Sequence, residues 1–292
     1  MSLALAIFLR IVANPLSNAF QKVLTRRAAD PLLVICITHA LLCVVCVPII
    51  LLNPGNRTTG FWANMLIVGV LTVAGNTFLV AAVKRSDLSV LGPVNAYKSV
   101  VSLVPGMFLL HEFPRLMGLA GIGLIVAGSY FIVDKNVTAP VENVYVRFFK
   151  ERGIQLRFAA LIVAATEAVY LKRALLASSE LATFAWWAVL GFVISVLVVA
   201  VFMLRAAGPQ LRVVKTNPLI CMSLAITTGV MQFCTIATFR WFQVGYSLAL
   251  FQISTLISVF LGYKVFRERN ILERLLGSLV MIAGAVLIIL EK

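Results

Sequence analysis

Long apolar runs, each bounded by charge, proline or glycine, recur along almost the whole chain. Taken at roughly 20 apolar residues per crossing, they predict ten membrane-spanning helices near 3–21, 32–52, 61–83, 88–110, 116–133, 157–176, 182–204, 218–239, 246–266 and 272–290. The longest polar interval runs from Asp134 to Arg157 and contains Asn136-Val137-Thr138-Ala139-Pro140. It divides the chain into a first five-helix unit (1–134), a linker (135–156) and a second five-helix unit (157–292).

The two units repeat each other. A shift of 156 residues places Ser102 on Ser258, Gly106 on Gly262 and Glu112 on Glu268, then Leu116, Gly121, Ala127 and Gly128 on Leu272, Gly277, Ala283 and Gly284. An ordered series of Gly, Glu and Gly at one offset points to duplication. Because each unit holds an odd number of crossings, the two insert in opposite directions. The expected fold is thus all-α and integral to the membrane, with ten transmembrane helices as two inverted five-helix repeats, an architecture suited to alternating access.

Several helices carry polar residues at i, i+3, i+4 and i+7, which share one face. Crossing one has Asn14, Ser17, Asn18 and Gln21; crossing four has Asn95, Lys98, Ser99 and Ser102. Crossing three has Thr72 and Asn76, six has Glu167 and Tyr170, eight has Thr228, Gln232 and Thr235, and nine has Gln252, Thr255 and Ser258. Such faces avoid lipid. Interhelical hydrogen bonding accounts for one of them, but several in one bundle favour a hydrated pathway. Crossings five and ten, almost wholly apolar and glycine-rich, read as packing walls.

Lys98 is the sharpest feature. A lysine at mid-helix costs at least about 2.5–3.5 kcal/mol in lipid, so it requires a partner: a carboxylate or phosphate of the solute, or Glu167, the acidic residue deep within a helix. Proton coupling through a Lys98–Glu167 exchange is the third use. His39 either lines the cavity and titrates near neutral pH or is buried and hydrogen-bonded. For Arg10 the favoured reading is escape to an interface or to a neighbouring carboxylate, with a cavity position as the alternative. Trp186-Trp187 and Tyr170 are candidates for stacking on a ring or cation, although the tryptophans fit an interfacial belt better. The expected lining is Lys98, Asn95, Asn18, Glu167, Tyr170, Gln232 and Gln252, with His39 as a further candidate.

Composition agrees with lipid as the main solvent. Hydrophobic residues make up 61% and charged residues 12%, with a mean hydropathy of +1.02, too little polar surface for a soluble globule. The net charge of +14 arises from Lys and Arg gathered at the ends of apolar runs, which mark topology rather than nucleic-acid binding. All five cysteines lie in hydrophobic runs without a CxxC pair and read as packing residues. Arg10, followed by Asn14-Pro15, argues against a cleaved signal peptide. No P-loop, GxSxG elbow or HExxH helix is present, so neither ATP-driven pumping nor ordinary hydrolysis has support; no catalytic residue, metal or cofactor is expected.

Leu110-His111-Glu112 followed by Gly121-Ile-Gly-Leu-Ile-Val-Ala-Gly128, and Phe266-Arg267-Glu268 followed by Gly277-Ser-Leu-Val-Met-Ile-Ala-Gly284, resemble the drug/metabolite transporter superfamily, specifically its ten-helix EamA-like members. Asn18 and Lys22 also resemble the Asn and Lys common in that family's first helix. The resemblance spans nearly the whole chain and implies a transporter with both termini cytoplasmic. It departs where the family has a proline thirteen residues before each glutamate: here stand Ser99 and Thr255. The glutamates Glu112 and Glu268 are expected to cap or ion-pair at helix ends.

The distribution of charge opposes the implied orientation. Odd-numbered connections carry 17 basic residues and the others, with the C-terminus, carry 6, which by the positive-inside rule puts both termini outside the cytoplasm. The linker segment Val144-Tyr-Val-Arg-Phe-Phe-Lys-Glu-Arg152 reads either as an interfacial stretch suited to anionic headgroups or as a solvated loop.

The expected function is secondary transport or exchange of a small polar metabolite, anionic or zwitterionic, such as an amino acid or organic acid. A cationic drug or amine exporter driven by Glu167 and the aromatic residues is the alternative, and a non-transporting membrane enzyme or scaffold the alternative of another class. Coupling to a proton or a counter-solute stays open. The expected partners are a small-molecule solute and the lipid bilayer, with no nucleic acid, as a monomer or homodimer in a bacterial inner (plasma) membrane.

Overall fold

A computed structural model describes residues 2–27, 29–53, 55, 57–86, 97–113, 115–130, 151–203, 214–266 and 271–290. The described helices are α1 (Leu3–Arg26), α2 (Pro31–Leu52), α3 (Thr59–Arg85), α4 (Tyr97–Leu110), α5 (Leu116–Tyr130), α6 (Arg152–Leu176), α7 (Glu180–Phe202), α8 (Pro218–Phe239), α9 (Val244–Leu250), α10 (Ser254–Phe266) and α11 (Ile271–Leu290). A 3₁₀ turn, Phe251–Ile253, joins α9 to α10, and the three make one apolar span, Val244–Val265. Among the described residues, seven segments are long and apolar enough to cross a membrane, and α4, α5 and α11 contain shorter apolar stretches. The protein is an all-α integral membrane protein of about ten crossings. The linker proposed at 135–156 lies mostly outside the described residues, and α6 begins at Arg152, five residues before the expected start of crossing six.

Local sequence explains several helix starts. The side chains of Ser2, Thr58 and Ser179 accept backbone N–H groups of Leu5, Phe61 and Ala182, while Asp30 accepts Leu32 N at 2.9 Å with Pro31 in the first turn. These are N-caps that satisfy otherwise orphaned donors. Large apolar side chains such as Val44, Leu51, Phe108, Leu116, Val201 and Phe202 remain on the outside, where lipid rather than water is the compatible solvent.

The helices pack in pairs across the midpoint of the chain. α3 lies on α6, α1 on α8, α2 on α7, α5 on α11, and α4 on both α6 and α9. Exchanging each crossing for the one five places away turns the α3/α6 contact into α8/α1 and returns α2/α7 and α5/α11 to themselves. The same symmetry reaches single atoms. A Cβ on Gly128 would overlap the carbonyl of Gly277 and the backbone of Met281, and one on Gly284 would overlap the carbonyl of Gly121 and Ile125. Gly128 and Gly284 coincide at the 156-residue shift, as do Gly121 and Gly277, so α5 and α11 meet backbone to backbone through reciprocal glycines.

At one end of the bundle, Glu112 joins three segments. Its Oε1 pairs with Lys172 Nζ on α6 and its Oε2 accepts Val244 N, the first residue of α9, at 2.7 Å. Lys172 Nζ also donates to Phe242 O at 2.7 Å. The ion pairing and helix capping expected of this glutamate therefore occur together. Glu268 lies outside the described residues.

Candidate functional site

Between the paired helices lies a polar cavity that offers about 100 Å³ to the centres of water-sized spheres, room for on the order of seven waters or a small solute. One wall is the polar face of α1: Asn14, Ser17, Asn18 and Gln21 all line it. From residue 10 to residue 21 at 1.5 Å per residue, that face extends about 16 Å along the helix. Thr228, Gln232 and Thr235 of α8 lie opposite. Ser17 Oγ and Thr228 Oγ1 share a hydrogen bond of 2.8 Å, and Asn14 Nδ2 donates to Ser254 Oγ at 3.2 Å. Ser254 is the residue that takes Lys98's place at the 156-residue shift.

Three cations and one carboxylate line this cavity: Arg10, Lys98, Arg157 and Glu167. Glu167, only 9% exposed, is held from two helices. Thr72 Oγ1 on α3 donates to Glu167 Oε1 at 2.7 Å, and Trp187 Nε1 on α7 donates to Thr72 Oγ1 at 3.0 Å and toward Glu167 Oε1 at 3.4 Å. Lys98, near the start of the described α4, feels the Glu167 carboxylate electrostatically. Among the described residues no ion pair within 4 Å joins the two, although both line the same cavity.

Arg10 overturns the favoured sequence expectation. Among the described residues it meets no carboxylate, and it is 8% exposed within the cavity wall. Its Nε donates to Thr235 Oγ1 at 2.7 Å, and its guanidinium carbon lies 4.6 Å from the centroid of the Phe251 ring, a cation–π distance. Nη1 is buried with no hydrogen-bond partner among the described residues. The signal for this position was present in the sequence: Arg10 extends the α1 stripe by one turn, four residues before Asn14. Arg157, expected at the boundary between the linker and crossing six, is buried and lines the cavity together with Glu167. Lys22 and Lys172 are buried as well.

Gln232, Gln252, Asn18, Lys98 and Glu167 line the cavity. Asn95 lies outside the described residues. Tyr170 does not line the cavity, and of the two readings open for His39 the structure has the buried, hydrogen-bonded one. The His39 ring lies 4.6 Å from the Trp187 ring, and its Nδ1 is 3.2 Å from Ala188 O. Gly191 leaves the space that the ring fills, so His39 belongs to the α2/α7 contact behind the cavity wall. Tyr170 packs against the apolar core instead of the cavity. Helical periodicity assigns Tyr170 to the neighbourhood of Glu167 but not to the arc of α6 that remains open.

The aromatic residues divide as well. Trp187 is 2% exposed and reaches the cavity, so it is no part of an interfacial belt. Trp186 packs edge-on against Trp62 at 4.6 Å. Phe251 and Gln252 enter the lining through the 3₁₀ turn between α9 and α10. A helix broken beside a cavity is tolerated because the irregular backbone is shielded from lipid by protein. The apolar pattern of crossing nine contains no signal for this break.

Comparison with known proteins adds a family to this geometry. A solved crystal structure superposes with a TM-score of 0.69 at 16% identity, covering 99% of this chain and 97% of that one, a likeness of fold. No curated protein matches. Residues 2–134 match the model of the EamA-like transporter family, whose members are transporters rather than enzymes. Through these residues, which span its first five helices, the chain is similar to the EamA-like transporter family, consistent with the drug/metabolite transporter superfamily.

Proposed function

We propose that the protein is a secondary transporter of a small anionic or zwitterionic metabolite, of the amino acid or organic acid class, working by alternating access of two five-helix halves. The observation that supports this most is the convergence of Arg10, Lys98 and Arg157 with the single described lining carboxylate, Glu167, in one cavity. Cations held in a low-dielectric site attract a solute of opposite charge. The hydroxyl and amide groups of α1 and α8 supply orienting hydrogen bonds. Helix pairs that exchange into one another are consistent with a motion in which one half rocks against the other.

Uptake into proteoliposomes tests the reading. L-Glutamate and succinate are expected to enter and to compete with each other, whereas choline does neither. Lys98→Ala lowers anion uptake at least about tenfold, the loss expected for one charge-assisted hydrogen bond, and Lys98→Arg retains part of it. Wild-type uptake in both variants would remove Lys98 from the site.

Glu167 beside Trp187 favours a second reading, export of an organic cation seated between a carboxylate and an aromatic face. In that case choline-like probes bind, anions do not, and Glu167→Gln abolishes binding while leaving the protein folded.

A further inference from the structure

Arg10 differs from Lys98 in the kind of partners it has. Lys98 lies within electrostatic reach of the Glu167 carboxylate. Arg10 is held by a hydroxyl, Thr235 Oγ1, and by the face of Phe251, neither of which cancels its charge. No carboxylate lies within ion-pair distance of it among the described residues. A guanidinium does not give up its proton, so the buried charge cannot be removed by neutralisation. Nη1, buried and without a described hydrogen-bond partner, belongs to a planar fork whose geometry matches the oxygens of a carboxylate or phosphate.

Its place in the fold connects that charge to motion. Arg10 rides on α1, in the first half of the chain, while both groups that orient its guanidinium belong to the second half: Thr235 on α8 and Phe251 in the 3₁₀ turn. Moving one half against the other changes the surroundings of this side chain. In an access state open to water, the guanidinium is hydrated. In the closed intermediate that every alternating-access cycle must pass, water is excluded and an unpaired buried charge is strongly unfavourable, whereas an anion on Nη1 compensates it.

Resting on the anionic reading above, we infer that Arg10 anchors the oxyanion of the solute and makes the protein an exchanger: the loaded cavity reorients and the empty one stalls. The ligand class is a carboxylate- or phosphate-bearing solute, and transport in one direction requires a counter-anion in the other. The positive charge acts as a built-in check on slippage, because a ligand shifts a conformational equilibrium only by its differential affinity for the states involved.

The test uses the full-length protein in neutral phospholipid vesicles, with membrane potential clamped by potassium and valinomycin so that charge build-up does not imitate a requirement for exchange. Radiolabelled L-glutamate, succinate and inorganic phosphate are supplied in separate arms, which distinguishes carboxylate from phosphate recognition. For the arm that is transported, entry into vesicles preloaded with the same unlabelled anion is expected to exceed entry into unloaded vesicles at least tenfold. Arg10→Gln loses this ratio, while Arg10→Lys, which keeps the charge but not the fork, retains the ratio with weaker apparent affinity. Wild-type protein that fills unloaded vesicles as fast as preloaded ones overturns the exchange inference and leaves anion transport standing. Movement of choline with none of the three anions overturns the anionic reading and this inference together. If Arg10→Gln does not fold, the wild-type comparison still decides exchange, and unchanged apparent affinity in Arg10→Lys would overturn the role of the guanidinium fork.

Discussion

Two junctions of the bundle occupy related places and carry different chemistry. At one, Ser17 of α1 meets Thr228 of α8 through a hydrogen bond of 2.8 Å; at the other, Glu167 of α6 meets Thr72 of α3 at 2.7 Å. The two threonines coincide at the 156-residue shift. Each junction also has a buried lysine five residues along the same helix, Lys22 after Ser17 and Lys172 after Glu167. The packing is therefore shared while the charge is not: a neutral hydroxyl pair in one place corresponds to a fixed carboxylate in the other. The frame is symmetric, and different residues at a few cavity positions make the candidate site asymmetric.

The largest effect that bears on this comparison is expected from Lys172→Ala. It leaves Glu112 without its cation and removes the donor to Phe242 O. Breaking a buried pair from one side costs about 3–5 kcal/mol, to be read as a shift in equilibrium unfolding in detergent micelles. A loss below about 1 kcal/mol would mean that the pair is solvated and does not tie α6 to the start of α9.

The α5/α11 contact supplies the opposite limit, where related positions do the same work. Gly128→Ala and Gly284→Ala each place a methyl group against backbone, which cannot move aside as a flexible side chain does. Each is expected to cost toward the upper end of about 1–3 kcal/mol, and the two values should agree within about 0.5 kcal/mol. Thermal unfolding of both variants checks this, and unequal losses would show that the reciprocal glycines are not equivalent.

The two threonines should separate by a smaller margin. Thr72→Val removes a donor to a buried carboxylate, at about 1.5–3 kcal/mol, whereas Thr228→Val breaks a neutral hydroxyl pair, at about 0.5–1.5 kcal/mol. Unfolding midpoints at equal m-value measure the difference. Equal costs would indicate that Glu167 does not depend on Thr72 for its placement.

Much of this was legible along the chain. The apolar runs anticipated the crossings, and the polar residues of α1 and α8 pointed to the faces that line the cavity, because a period of 3.6 places residues three, four and seven apart on one side of a helix whatever surrounds it. Lys98 and Glu167 were recognisable because charge within an apolar run requires a partner or a cavity. Arg10 continued the same stripe, although the favoured reading sent it to an interface or a neighbouring carboxylate.

What the chain could not determine alone was which part of each polar face remains open. Periodicity fixes a direction about a helix's own axis, not the rotation of that helix against its neighbours. His39 and Tyr170 therefore fell into protein contacts, while Trp187 came from the expected belt into the site, placed by the Thr72 and Glu167 oxygens it can reach. Phe251 entered through a break in crossing nine that its apolar pattern does not reveal. The sequence by itself determined an all-α membrane bundle with polar faces turned from lipid, since hydrophobic burial and backbone hydrogen bonding in a bilayer leave few alternatives. Only the tertiary structure decided that Arg10, Lys98, Arg157 and Glu167 share one cavity, because that juxtaposition depends on contacts between helices more than a hundred residues apart.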